Sequence, residues 1–272
     1  MASRTWRKRA AVIAGFVAVV AVVLAAGGLT RVRAMAGTYL RQRMLDAVQP
    51  VNVTNCTLAR FGEANDGGYV VCGNLLGGVK TGYSYGIAGT DGWGCDVSRK
   101  LGVRVHEYDC FDLHEPACPD GRLVFHPECV GASRFVEEGR QFDSITGQFQ
   151  RNGDSASQVV LKIDVEGAEW DSFDAAPDSL FEQIDQLVVE LHHTDRSWRH
   201  LRTIERLKRF FVVAHLHYNN FTCDAQVTPL PAWAMEVLFV SRRLAHTDGQ
   251  PGAASPAALD APNDPHAPDC QR

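Results

Sequence analysis

The sequence predicts a doubly wound α/β fold, an open and mainly parallel sheet with helices on its faces. Three observations lead there. Strand and helix patterns alternate between Tyr83 and Tyr218, as βαβ units require. Val159–Val165 (VVLKIDV) is nearly apolar on both faces, as a strand buried inside a parallel sheet must be. A glycine-rich turn, Gly86-Ile87-Ala88-Gly89, follows the first sheet strand, and Asp109 ends the next strand 23 residues after Gly86. In nucleoside-binding folds an acid about 20 residues on accepts hydrogen bonds from ribose hydroxyls.

Element by element, Tyr83–Gly86 is the first strand of the sheet, and Asp96 caps a short helix through Leu101. Val103–Cys110 and Leu123–Val130 are strands, and Asp143–Gln150 is a helix. After Val159–Val165, a helix begins at Trp170–Phe173. Gln186–Leu191 is a strand, Trp198–Phe210 a helix, and Phe211–Tyr218 and Met235–Val240 the last strands. No helix separates those two, which predicts an antiparallel edge pair.

The ends differ from the middle. Residues 1–30 are expected to be a short tip and a transmembrane anchor: Ala10–Leu29 is uncharged over twenty residues, enough to cross a hydrocarbon core of about 30 Å. A cleaved signal peptide is the competing reading, but its apolar stretch is usually shorter, roughly 7–15 residues. Residues 31–50 read as a helical stem and 51–245 as the folded domain. Residues 246–272, with five prolines and no Phe, Trp, Tyr, Val or Ile, read as a disordered tail. Three glycosylation sequons, at Asn52, Asn55 and Asn220, and eight scattered cysteines all follow the apolar segment. They predict a single-pass type II protein of the Golgi or another secretory membrane, with a lumenal, disulfide-bonded domain. The pairing of the cysteines is not readable from their spacing.

Charge excludes some functions. Eight of the 27 basic residues and none of the 32 acidic ones precede residue 46, which leaves 19 basic against 32 acidic side chains in the remainder. An acidic body disfavours nucleic acid and suits a neutral or cationic acceptor.

The chemistry concentrates in LKIDVEGAEW, residues 161–170. Asp164 and Glu166 stand at the carboxyl end of a central strand, where open α/β sheets place their ligands. Glu190 and His192 end the neighbouring strand, and His193 should point the other way. Asp164, Glu190 and His192 are the candidate catalytic bases, imidazole being the natural base near neutral pH. His215, His217 and Asn219 share a strand face at period two. They could join Asp164 or Glu190 around a divalent metal, but no metal-specific spacing is present and no metal is expected.

RFGEANDGGYVVC, YSYGIAGTDGWGCDVSRKLGVRVHEYDC, LKIDVEGAEWDSF and QLVVELHH resemble the FkbM-type class I S-adenosylmethionine-dependent methyltransferases, and within them the membrane-anchored methyltransferase-like group. The resemblance runs from about Leu58 to Arg242, and KIDVEGAE is its specific part. It implies a Rossmann-like seven-stranded sheet, mostly parallel with an antiparallel last strand, and S-adenosyl-L-methionine as cofactor. It implies that Gly86, Ile87 and Gly89 line the methionine and ribose side, that Asp109 is the ribose acid, and that Asp164 and Glu166 lie at the methyl-transfer end. Where the family carries an acid before the first glycine, this chain has Tyr83-Ser84-Tyr85. The implied reaction is O-methylation of a hydroxyl on a glycan or small molecule. A lumenal metal-dependent glycosyltransferase, using Asp164-Val165-Glu166, and an inactive fold kept for binding are the competing readings.

Overall fold

A computed structural model describes residues 32–154, 158–252 and 259–270. The expected anchor, Ala10–Leu29, lies outside them. Among the described residues no helix is long and apolar enough to cross a membrane.

The first described element is a helix over residues 32–47 (α1). Its later turns bury Leu40, Met44 and Ala47, with Val48 beyond, in the main core. The expected stem is therefore part of the domain. Next come β1 (Val51–Val53), the hairpin β2 (Leu58–Gly62) and β3 (Gly68–Cys72), β4 (Thr81–Tyr85), α2 (Gly92–Leu101) and β5 (Arg104–Tyr108). The expected strand Leu123–Val130 is split into β6 (Leu123–His126) and β7 (Cys129–Val130), and β7 joins β8 (Phe135–Glu137) and β9 (Arg140–Asp143) in a small sheet. Then follow α3 (Ile145–Asn152), β10 (Val159–Ile163), α4 (Ala168–Ala175), α5 (Asp178–Phe181) and β11 (Ile184–Leu191). The chain continues with α6 (Trp198–Leu207), β12 (Phe211–Tyr218), β13 (Met235–Ser241) and β14 (Thr247–Pro251).

The central sheet has seven strands in the order β12-β13-β11-β10-β4-β5-β6. Every pairing among β6, β5, β4, β10 and β11 is parallel. Only β13 runs against both of its neighbours. This is the Rossmann-like α/β sheet with one reversed strand. The reversed strand lies inside β12 rather than at the edge. It can do so because residues 219–234 cross between the two strands without a helix long enough to reverse the chain in parallel.

One face of the sheet packs against α1, α3, α4, α5 and α6. The other is covered by α2 and the β2–β3 hairpin, with Tyr69, Val71, Trp93 and Val97 in a second core around Val160, Val188 and Leu238. The α2 cap differs from the sequence reading. Asp91, not Asp96, accepts from the Gly94 amide at 2.7 Å, so the helix starts five residues earlier, inside the glycine run. Asp96 instead accepts from the Gly62 amide and pairs with Lys100.

All eight cysteines form disulfides: Cys56–Cys72, Cys95–Cys118, Cys110–Cys129 and Cys223–Cys270. The last corrects the expectation of a disordered tail. β14 pairs with β1, and residues 259–270 lie along the sheet. His215 Nε2 meets Asp260 at 2.6 Å and His217 Nε2 meets Asp269 at 3.3 Å. Asn263 donates to Glu236 and Asp66. The Asn220 amide, nominally a glycosylation site, is buried and donates to the Asp264 and Ala267 carbonyls. Composition failed here because polar contacts and one covalent tether hold the segment, not apolar burial. Removing residues 246–272 should therefore lower the melting temperature. The Cys223–Cys270 bridge alone closes a loop of a size worth about 2–5 kcal/mol. A truncated chain that melts with the full-length protein would show that the tail contributes nothing.

Candidate functional site

Between β4 and β10 the strand order reverses direction, and at that switch point the carboxyl ends of the strands leave a crevice. The crevice holds a pocket of about 300 Å3. Gly86, Ala88, Tyr108, Asp109, Phe111 and Asp112 form one side; Val130 and Phe142 contribute apolar wall, and Asp164 and Glu166 the opposite end. Ile87 is buried, and neither it nor Gly89 reaches the pocket surface.

The glycines answer to the protein before any ligand. Gly86 has φ +73°, and a Cβ there would overlap the carbonyl oxygen of Asp164 on the adjoining strand end. Gly89 has φ +75°, and a Cβ would stand 2.7 Å from Asp112 Oδ2. A side chain at Gly86 would thus disrupt the sheet itself, a constraint separate from ligand access.

Asp109 also acts internally. Oδ2 accepts from the Ile87 and Ala88 amides at 3.0 and 2.9 Å, and Oδ1 from the Phe111 and Asp112 amides at 2.8 and 3.2 Å. A carboxylate offers about four lone-pair sites, and the backbone occupies that number. Asp109 therefore clips the glycine turn to the turn after β5. Asp112, half-exposed in the pocket wall, is the nearby acid with capacity left. Its Oδ1 bonds to His114, and Oδ2 carries no hydrogen bond among the described residues.

At the other end, β10 and β11 bring Asp164, Glu190 and His192 together, as their positions at adjacent strand ends predict. One ligand-type atom from each lies within 4.8 Å of the others. Each is held by a neighbouring side chain, two of which, Tyr69 and Glu169, the sequence reading did not assign to it. Tyr69, from the hairpin over this face, donates to Asp164 Oδ2 at 2.8 Å. Asn219 donates to Glu190 Oε1 at 2.6 Å. Glu169, fully buried at the start of α4, accepts from the His192 amide and lies 3.3 Å from its Nδ1; its other oxygen accepts from the Gly167 amide. Glu169 sits in the same GAEW run, and an acid at the start of an otherwise apolar helix face is a signal that could have found it. Nothing in the hairpin sequence marks Tyr69 as a partner of Asp164. Of the period-two set, Asn219 does reach Glu190, while His215 and His217 turn to the tail.

Glu166, at φ +55° and largely exposed, leans over this group with Oε2 3.4 Å from His192 Nε2. Burial, then the charges of Asp164 and Glu236, push the Glu190 carboxyl well above its ordinary range. For His192 burial works against the charged ring, but the hydrogen bond and charge of Glu169, with Glu190 and Asp164, prevail and raise it to about 9. This favours the charged ring over the neutral base that the sequence predicted. His193, as expected, points elsewhere, stacking on Trp233.

No family model and no curated protein matches the chain. Among solved structures it is similar to the crystal structure of methyltransferase FkbM from Methylobacillus flagellatus KT, with 16% identity and a TM-score of 0.38. The match covers 59% of this chain and 43% of that one, so the chain spans less than half of that protein's length.

Proposed function

We propose that the protein is an S-adenosylmethionine-dependent methyltransferase that modifies a hydroxyl on a glycan or small molecule. The observation that carries this reading is the switch-point pocket, with an apolar wall at Phe111, Val130 and Phe142 and acids at Asp164 and Glu166. About 300 Å3 is the lower bound of ordinary ligand pockets. Phe111, Val130 and Phe142 suit the faces of a nucleobase, and Asp112 Oδ2 is an acceptor for ribose hydroxyls. The cofactor would supply a methyl group already activated on a sulfonium, so alignment of the acceptor is the larger task left to the protein.

Asp164 lines the pocket, and Tyr69 fixes one of its oxygens. In this reading Asp164 is the base that takes the acceptor's proton, a contribution of about 10²–10⁴-fold for a placed base. Glu190 and His192 stand behind Asp164, with His192 Nε2 3.8 Å from its Oδ1. The four disulfides support an oxidising compartment, in keeping with a lumenal domain behind a signal anchor.

A second reading, a nucleotide-sugar transferase, is favoured by the carboxylate–imidazole group, which suits a divalent metal. Calorimetry on the full chain in detergent separates the two. S-adenosylhomocysteine should bind at micromolar concentration, and UDP with manganese should not. Binding of UDP without binding of S-adenosylhomocysteine would overturn the methyltransferase reading.

A further inference from the structure

We propose that Asp164, Glu190 and His192 form a site for one divalent cation at the inner end of the pocket. It rests on the methyltransferase reading only for what the ion would do there, not for whether it binds.

The charge balance is the first argument. Four carboxylates converge on the His192 ring: Glu169 at 3.3 Å, Glu166 at 3.4 Å, Glu190 at 3.7 Å and Asp164 at 3.8 Å. The nearby cation Lys162 is engaged with the Tyr85 and Gly86 carbonyls. Four acids face one imidazole in a site where Glu169, Glu190 and His192 are buried, and a divalent ion would draw them to a common centre.

Orientation is the second argument and is independent of charge. The His192 side chain is 4% exposed, its Nδ1 faces Glu169, and its Nε2 makes no hydrogen bond among the described residues although it lies 3.4–3.8 Å from the three other carboxylates. A buried histidine held through one nitrogen by a carboxylate, with the other directed at acids, is how metal-binding histidines are fixed. Asp164 and Glu190 are held in the same way, by Tyr69 and Asn219. Ligands about 2.0–2.2 Å from a common ion stand up to about 4.4 Å apart. Atoms already within 4.8 Å need only a small contraction.

One nitrogen and two carboxylate donors suit manganese, magnesium or zinc. Because Asp164 and Glu166 line the pocket, the ion would be reached from it. An acceptor oxygen could complete its coordination and be acidified there.

The test uses the full chain in detergent, stripped of metal with EDTA, and Mn2+ as the probe. Calorimetry and loss of the free-ion paramagnetic signal should give one Mn2+ per chain. Glu190→Gln should abolish that binding, and Glu169→Gln should weaken it by about 10- to 100-fold, the usual cost of losing an orienting partner. Glu138→Gln, on the exposed β8–β9 turn, should leave it unchanged. Circular dichroism identifies any variant that fails to fold, and the unsubstituted chain is decisive by itself. No Mn2+ binding up to millimolar concentration, or undiminished binding in a folded Glu190→Gln, would overturn the site. S-adenosylhomocysteine titrated into the same samples keeps the two ideas apart. Its binding without Mn2+ binding removes the ion and leaves the methyltransferase, whereas Mn2+ binding alone does the reverse.

Discussion

Asp109→Ala should destabilise the fold by about 3–6 kcal/mol, counting only its bonds to the Ile87 and Ala88 amides at about 1.5–3 kcal/mol for each hydrogen bond to a charged group. Four backbone donors lose their acceptor at once, and the Ile87 amide is buried, so water cannot replace it without opening the turn. That is a large part of a typical domain's total stability of about 5–15 kcal/mol. S-adenosylhomocysteine binding should fall too, but as a consequence of a disordered turn. Asp112→Ala supplies the contrast. Its side chain is half-exposed and makes only local bonds to His114, so melting should not change while binding weakens. If Asp109→Ala melts like the parent and loses only affinity, then Asp109 touches the ribose directly and the structural assignment is wrong.

The same residue shows what a sequence can and cannot convey. The position of Asp109, at a strand end after a glycine turn, is legible; which groups its oxygens meet is not, because four local amides compete for the carboxylate. The sheet was legible because β10 is nearly apolar on both faces and most of the other strands are separated by helical spacing. Asp164, Glu190 and His192 converge because adjacent parallel strands end together, a consequence of register that strand order alone implies. The part from elsewhere was hidden. Tyr69 arrives on a hairpin whose sequence carries no long apolar alternation, while Glu169 was within reach of a sequence reading, as an acid beside Trp170 at the start of α4. The tail misled because its anchoring is polar. Cys270 was the available clue, an eighth cysteine in a segment otherwise lacking a reason to be attached.

Glu107→Gln should stabilise the protein at neutral pH and flatten its pH dependence. Glu107 lies on β5 facing α2, fully buried, and as a carboxylate it finds no hydrogen-bond donor among the described residues, whereas a protonated carboxyl can donate to Asp91. Asp91 is its neighbour, fixed as the α2 cap by the Gly94 amide. Gly94 admits this crowding: a Cβ there would stand 3.1 Å from Glu107 Oε1. Burial, and then the charge of Asp91, raise the Glu107 carboxyl from its ordinary 4.5 to about 9. The folded chain therefore keeps a proton that the unfolded chain releases. Its contribution to stability is complete below pH 4.5 and is lost progressively as pH rises toward 9. At pH 7, about 2.5 units into that window, the loss is about 3 kcal/mol at 1.36 kcal/mol per unit. Glutamine keeps the shape of the protonated acid without the titration. Denaturant melts between pH 5 and 8.5 should show the parent losing stability as pH rises, while the variant stays nearly flat and exceeds it at pH 7. Parallel pH profiles would show that Glu107 does not hold this proton. Because the 86–91 turn leads from the pocket wall into the α2 cap, the variant should also leave S-adenosylhomocysteine affinity intact, which places the strain of this acid pair in the frame of the site and not in the site itself.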